Sequence, residues 1–258
     1  MPKLDLLICA LPIAGMMGLV DDRAIQAACN NAVWCDAVCR SHGLHTTFQD
    51  GFWLQADAPL PLYPNLVTTA PEPVVAQTRR AELLRTDAPD TPWSVKDSFG
   101  MLELDSTGMR PLFDAEWVHR EPLGDRAANG PSACERIDSP DELAAWEAAW
   151  GQRPKEWSQG GGRVFQPSLL ADPNIAPIAV KDRGVIVAGL IANRAAGAVG
   201  FSNGFARSGS ETALRVCIDT AGSLWPGLPL VGYSGGEALE QLEALGFACV
   251  GSLRIWVS

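Results

Sequence analysis

The chain has 258 residues, 47% of them hydrophobic and 19% charged, which suits a large folded core and argues against disorder. Its formal net charge is −10, so neither nucleic acid nor an anionic membrane is an expected partner. Seven cysteines (Cys9, Cys29, Cys35, Cys39, Cys134, Cys217, Cys249), an odd number in apolar surroundings, predict reduced and mostly buried thiols in a cytoplasmic protein.

In chain order, the apolar run Leu6–Val20 comes first. It is too short to span a bilayer, contains Pro12, and follows Asp5 where a secretory signal would be basic. It reads as a buried strand or an ordered arm, with a cleaved signal as the lesser alternative. Asp22–Arg40 places Ile25, Ala28, Ala32, Val33 and Val38 at helical spacing and ends before Gly43, a good helix stop. Phe52–Gln55 and Leu66–Thr69 read as strands, separated by Ala58–Asn65, whose three prolines forbid a central strand. Val74–Arg85 reads as a helix, and Asp87–Pro92 as a loop.

Trp93–Leu104 and Met109–Arg120 predict a β-hairpin turning at Asp105-Ser-Thr-Gly108. Glu121–Asp138 is polar and reads as an exposed linker. A helix then starts at Ser139 (N-cap), with Pro140 at its first position and Glu142 closing a capping box; Leu143, Trp146 and Trp150 share one face. Pro167–Ala171 reads as one helical turn. Ile175–Val180, Val185–Asn193 and Ala198–Ala206 are three antiparallel strands, turning at Lys181-Asp-Arg-Gly184 and Ala195-Ala-Gly197. A polar turn Arg207-Ser-Gly-Ser210, a helix from Glu211, a strand Pro229–Tyr233, a helix ending Ala244-Leu-Gly-Phe247 and a strand to Trp256 complete the chain.

Several clusters bear chemistry. Cys35, Cys39, His42 and His45 resemble zinc ligands, but four ligands from mostly one helix suit a tetrahedral ion badly, and no metal is expected. Gly232-Tyr-Ser-Gly-Gly236 matches the nucleophile-elbow pattern around Ser234, yet no histidine follows, and a helix cap is the preferred reading. Gln159-Gly-Gly-Gly162 lacks the lysine and preceding strand of a phosphate loop. Nine tryptophans predict core filling before a binding wall. In the turn Phe205 to Leu214, Arg207 can pair with a phosphate, Ser208 or Ser210 can cap the helix, and the N–H groups of Gly209 to Thr212 can face an anion. Glu211 favours the helix dipole and opposes that anion.

On this order of elements, and on the Ala244-Leu-Gly-Phe247 helix end followed by Val250–Val257, residues 109–258 resemble the GNAT N-acetyltransferase superfamily. The resemblance implies an α+β fold, with a curved, mixed and mostly antiparallel sheet flanked by helices that splays open near its middle. It implies acetyl-CoA or another acyl-CoA in that gap, and transfer of the acyl group to a small-molecule or peptide amine. Residues 1–108 form an N-terminal α/β region, open to reading as a degenerate sister half that covers the acceptor side. The family's pyrophosphate loop, Arg/Gln-x-x-Gly-x-Gly/Ala, aligns its central glycine with Gly209; its basic start falls on Ala206, one place from Arg207, and its last small residue on Glu211. Phe205, Arg207, Ser208, Gly209, Ser210 and Thr212 are thereby the implied cofactor residues. The family's asparagine falls near Gly235 and its thiolate-protonating tyrosine on Leu242, which leaves Tyr233 as the candidate acid and Asn203 as the candidate orienting amide. The departures at Ala206, Glu211, Gly235 and Leu242 keep a rival open, a non-catalytic binding or scaffold protein on a decayed acyltransferase fold. A homodimer stays open.

Overall fold

The computed structural model describes residues 20–49, 51–57, 60–71, 92–122, 134–151 and 162–258. The predicted helix Val74–Arg85, residues 6–19 of the first apolar run, and Gln159 to Gly161 lie outside these residues. Eleven strands among the described residues form one mixed sheet: β1 (Thr46–Gln49), β2 (Phe52–Gln55), β3 (Leu66–Thr68), β4 (Ser94–Asp97), β5 (Arg110–Arg120), β6 (Cys134–Arg136), β7 (Ile175–Asp182), β8 (Val185–Ala195), β9 (Ala198–Ala206), β10 (Leu230–Ser234) and β11 (Ala248–Val257). Their order across the sheet is β1-β2-β3-β4-β11-β5-β10-β9-β8-β7-β6.

The meander β7–β9 follows directly from sequence. Arg183 and Gly184, then Ala196 and Gly197, all take positive φ, which gives the two-residue turns whose twist matches that of paired strands. The expected hairpin of Trp93–Leu104 with Met109–Arg120 is corrected: β11 lies between β4 and β5 and pairs antiparallel with both. The turn at Asp105–Thr107 forms as a 3-10 turn ending in left-handed Gly108, but it redirects the chain without joining neighbouring strands. The expected linker Glu121–Asp138 is also corrected, since it contains β6 and the fully buried Ile137.

Four α-helices among the described residues cover the two faces. On one face lie α1 (Asp22–Ser41) and α2 (Pro140–Trp150). Asp21 caps α1 by accepting from the Arg23 N–H. The face that α1 buries is Ala24, Ala27, Ala28, Ala32, Trp34, Cys35, Val38 and Cys39; Val33, expected inward, is exposed. α2 starts as its sequence dictates: the Glu142 N–H donates to Ser139 Oγ, the Glu142 carboxylate takes the Asp138 N–H, and Pro140 opens the helix. Trp146 and Trp150 then pack with Phe165 and Trp34 in one aromatic core.

The opposite face carries α3 (Glu211–Leu224) and α4 (Glu237–Ala244), whose Cys217, Ile218, Ala221 and Leu242 pack on Ala176, Ile178, Ala188 and Leu190. Alternation along β7 explains the division, because Ile175 and Ala179 face α1 and α2 while Ala176 and Ile178 face α3. Most of the tryptophans are core: Trp53, Trp117, Trp146 and Trp256 are fully buried. Among the described residues no helix is long and apolar enough to cross a membrane.

Candidate active site

β9 and β10 pair in parallel, but over two positions only, Leu230 with Val199 and Val231 with Gly200. Past Val231, β10 follows β5 through Ser234 and leaves β9. The ring of Phe201 fills the first step of this opening and rests on Gly232, where an added Cβ would lie 2.7 Å from its Cζ. Phe201 also meets Phe247 edge to face, with centroids 5.3 Å apart.

Beyond Phe201, β9 bulges. Gly189 pairs with Phe205 and Ile191 with Ser202, so Asn203 and Gly204 together oppose Leu190. Asn203 takes φ 55°, a left-handed conformation that asparagine tolerates better than most residues. The bulge leaves Ser202 Oγ and Asn203 Oδ1 buried without a hydrogen-bond partner among the described residues. Buried polar atoms are nearly always paired, so two orphans at one opening mark a place for a ligand or water.

A cavity of about 630 Å³ occupies the opening. On the α3/α4 side its wall includes Thr212, Arg215, Ile218, Gln241 and Leu242. On the α1/α2 side it includes Asn31, Trp34, Tyr63, Lys96 and Trp150. Phe201, Asn203, Tyr233 and Ser234 stand between, so the cavity passes from one face of the sheet to the other. Burial pushes the Cys35 thiol and the Tyr63 phenol pKa values up, leaving neutral donors on the α1 side. Lys96 is buried there, with Nζ 2.6 Å from Asn31 Oδ1 and 4.4 Å from the centre of the Tyr233 ring.

The expected site residues divide. Tyr233, Asn203 and Thr212 line this cavity. Phe205 turns to the other face and packs edge to face on Trp146, 5.3 Å between centroids. Arg207 continues the pairing with β8 through its N–H to Val187 O, and its side chain borders a second cavity beside Glu142 and Lys181. Ser208 is exposed in the turn, and the Ser210 N–H donates to Arg207 O without a side-chain cap. The Gly209 N–H is taken by the Glu211 carboxylate at 3.0 Å. Glu211's own N–H, and then that bond, hold the Glu211 carboxyl below the usual carboxylate range. Ser234 ends β10; of the expected Ser/Gly cap the glycine takes the place, since the N-cap of α4 is Gly236, and no serine side chain caps the helix.

Cys35 and Cys39 are buried in the α1 core, His42 Nε2 lies 2.9 Å from Val164 O, and His45 meets Asp57. Among the described residues no three His, Cys, Asp or Glu side chains converge as metal ligands.

Arg215 and Lys96 are absent from the expected set. Arg215 sits three residues after Thr212, on the same helical face, a spacing readable in sequence. Lys96 belongs to the N-terminal half, where only the fold brings it to the opening.

The chain has a GNAT-like fold, its sheet opened between two parallel strands with a cavity through the gap and a helix start at its rim. The structure matches a GCN5-related N-acetyltransferase from Kribbella flavida with a TM-score of 0.63 at 16% identity, covering 94% of this chain and 96% of that one. It matches a functionally unknown conserved protein from Staphylococcus epidermidis with a TM-score of 0.62 at 9% identity, over 83% and 94% of the two chains. A GCN5-related N-acetyltransferase-like protein from Streptococcus suis matches at 0.50 and 12% identity, over 91% and 98%. No family model matches the sequence, and no curated protein matches it.

Proposed function

We propose that this protein is an acyl-CoA-dependent N-acyltransferase that moves an acetyl or other acyl group to an amine. The observation that carries this reading is the cavity through the β9/β10 opening, walled by Asn203 and Tyr233 and bordered by the first turn of α3. Its donor set suits acyl-CoA: the Thr212 hydroxyl and the Arg215 guanidinium, both lining the cavity, would hold phosphate oxygens. The turn Ser208–Ser210 adjoins them. The orphaned Ser202 Oγ and Asn203 Oδ1 are polar partners for the pantetheine arm and the arriving amine.

In the transfer, the amine nitrogen bonds to the thioester carbonyl carbon and the carbon–sulfur bond breaks. Tyr233 gives its proton to the leaving thiolate, and the nitrogen's proton goes through water to the tyrosine oxygen. Asn203 orients the acceptor. Residues 109–258 supply the acyl-CoA side and the N-terminal region the acceptor side.

Calorimetric titration with acetyl-CoA tests this reading. Saturable binding is expected, with a stabilisation of about 2.7 kcal/mol once ligand reaches a hundred times its Kd. Tyr233→Phe should then lower kcat without weakening that binding. Absence of saturable heat at millimolar acetyl-CoA would sink the proposal.

One observation favours a second reading, a non-catalytic binding protein on the same fold: the Glu211 carboxylate occupies the Gly209 N–H that a phosphate would use. Turnover on any amine would refute it.

A further inference from the structure

We propose that the acceptor is an amine bearing a carboxylate, an amino acid in the simplest case, and that Lys96 binds that carboxylate. The proposal rests on the acyltransferase reading and names its substrate class. Lys96 lies on β4, in the part of the sheet contributed by the N-terminal region, and is 4% exposed. An ammonium has three N–H donors and no acceptor. One donor goes to Asn31 Oδ1 at 2.6 Å, and one side of the charge rests on the Tyr233 ring. Among the described residues no carboxylate lies within ion-pair distance of Nζ. A buried cation without a counter-charge is costly, and an anionic ligand relieves that cost.

Other residues that line this side of the cavity point the same way. The Tyr63 hydroxyl and the Trp150 indole N–H, both on residues lining this side of the cavity, have no hydrogen-bond acceptor among the described residues. Asn31 Oδ1 is already shared by Lys96 Nζ and Cys35 Sγ. On this side of the cavity the described side chains bring one ammonium and no carboxylate. The carboxylate among the cavity's described residues is Glu211, at the α3 end, across the sheet. A ligand that fits must bring acceptor oxygens and negative charge to Lys96. Trp34, Tyr63 and Trp150 add aromatic walls, which suit an apolar or aromatic side chain on that ligand. With its carboxylate on Lys96, beside the Tyr233 ring, the acceptor would hold its amine toward the opening where Tyr233 and Asn203 stand.

The test uses the full chain and three acceptors: phenylalanine, phenylalaninamide and phenethylamine. Acetyl-CoA binding is measured separately by calorimetry. Wild-type protein should use phenylalanine with a kcat/KM roughly ten- to a hundredfold above the two acceptors without a carboxylate, the worth of a charge-assisted hydrogen bond. Lys96→Met should raise KM for phenylalanine by the same factor, with no comparable rise in KM for the other two, and leave acetyl-CoA affinity intact. Equal use of acid and amide by the wild type, which requires no variant to fold, overturns the proposal. So does a Lys96→Met loss shared equally by all three. Binding of N-acetylphenylalanine against its amide is read independently of turnover: a preference for the acid that Lys96→Met removes supports the carboxylate site, and no preference overturns it. Failure of acetyl-CoA to bind would instead overturn the acyltransferase reading.

Discussion

The Phe201 ring and Gly232 form the hinge point at which β9 and β10 part, because the ring takes the space a side chain at Gly232 would need. A Cβ there would lie 2.7 to 3.0 Å from three atoms of the ring. Gly232→Ala should cost about 1–3 kcal/mol through overpacking, read as a lower denaturant midpoint at unchanged m-value. Phe201→Leu in the same chain should recover most of that loss, since the clash needs both partners. Equal losses in the single and double variants would show that the ring does not set the strand separation.

Asn30 clamps α1 onto the meander at the start of the same opening. Its Nδ2 lies 3.0 Å from Ala195 O, 3.2 Å from Ala198 O and 3.4 Å from Asn193 O, and its Oδ1 accepts from Asn193 Nδ2 at 3.0 Å. The pair fits only because Gly200 has no side chain, a Cβ there falling 1.9 Å from Asn30 Oδ1. Asn30→Ala should destabilise by about 2–3 kcal/mol, through buried groups left unpaired. Calorimetry should show that as a fall of roughly 4–12 °C in Tm. Adding Asn193→Ala should cost less than its own single effect, because its partner is already gone.

The parts of the fold that could be read from sequence are those fixed by near neighbours. Ser139, Pro140 and Glu142 form the α2 start among themselves, and Arg183-Gly184 and Ala196-Gly197 set the two hairpins. The β4/β5 arrangement escaped because β11 inserts between them from the far end of the chain, and no local pattern encodes that. β6 has three residues, too few to show alternation. The site divides in the same way. Asn203 and Tyr233 flank the opening from strands with clear sequence signals. Lys96 meets Tyr233 only through the β4–β11–β5–β10 ladder, and Phe205 and Arg207 turn to the opposite face because the bulge at Asn203 shifts the alternation of β9.

Asp21 supplies the pH dependence of α1. Bonds from the Arg23 side chain and then from its N–H pull the Asp21 pKa down to about 2. A depressed folded-state value means that this stabilisation is complete above the ordinary carboxylate pKa and is lost as pH falls toward 2. Asp21→Asn keeps the cap geometry without the charge, so its stability deficit should shrink between about pH 4 and pH 2. Carboxyl NMR should place the Asp21 midpoint below those of exposed aspartates; an ordinary midpoint would remove this account of the cap.

On the acyltransferase reading, Glu211 is the residue at which phosphate binding and helix stability would oppose each other. Its carboxylate takes the Gly209 N–H and sits in the first turn of α3, where negative charge favours the helix dipole. Its depressed pKa keeps it ionised at neutral pH, so it repels an anion arriving at the same N–H groups. Glu211→Gln keeps the shape and removes the charge. Acetyl-CoA affinity should rise by roughly two- to fivefold, the scale of one charge at a helix start, while α3 loses a little stability. Salt should narrow the difference between variant and wild type, because the side chain is exposed and screened. Affinity that falls in Glu211→Gln would mean the carboxylate holds the turn in its binding shape, with the phosphates met at Thr212 and Arg215 and not at the Gly209 N–H.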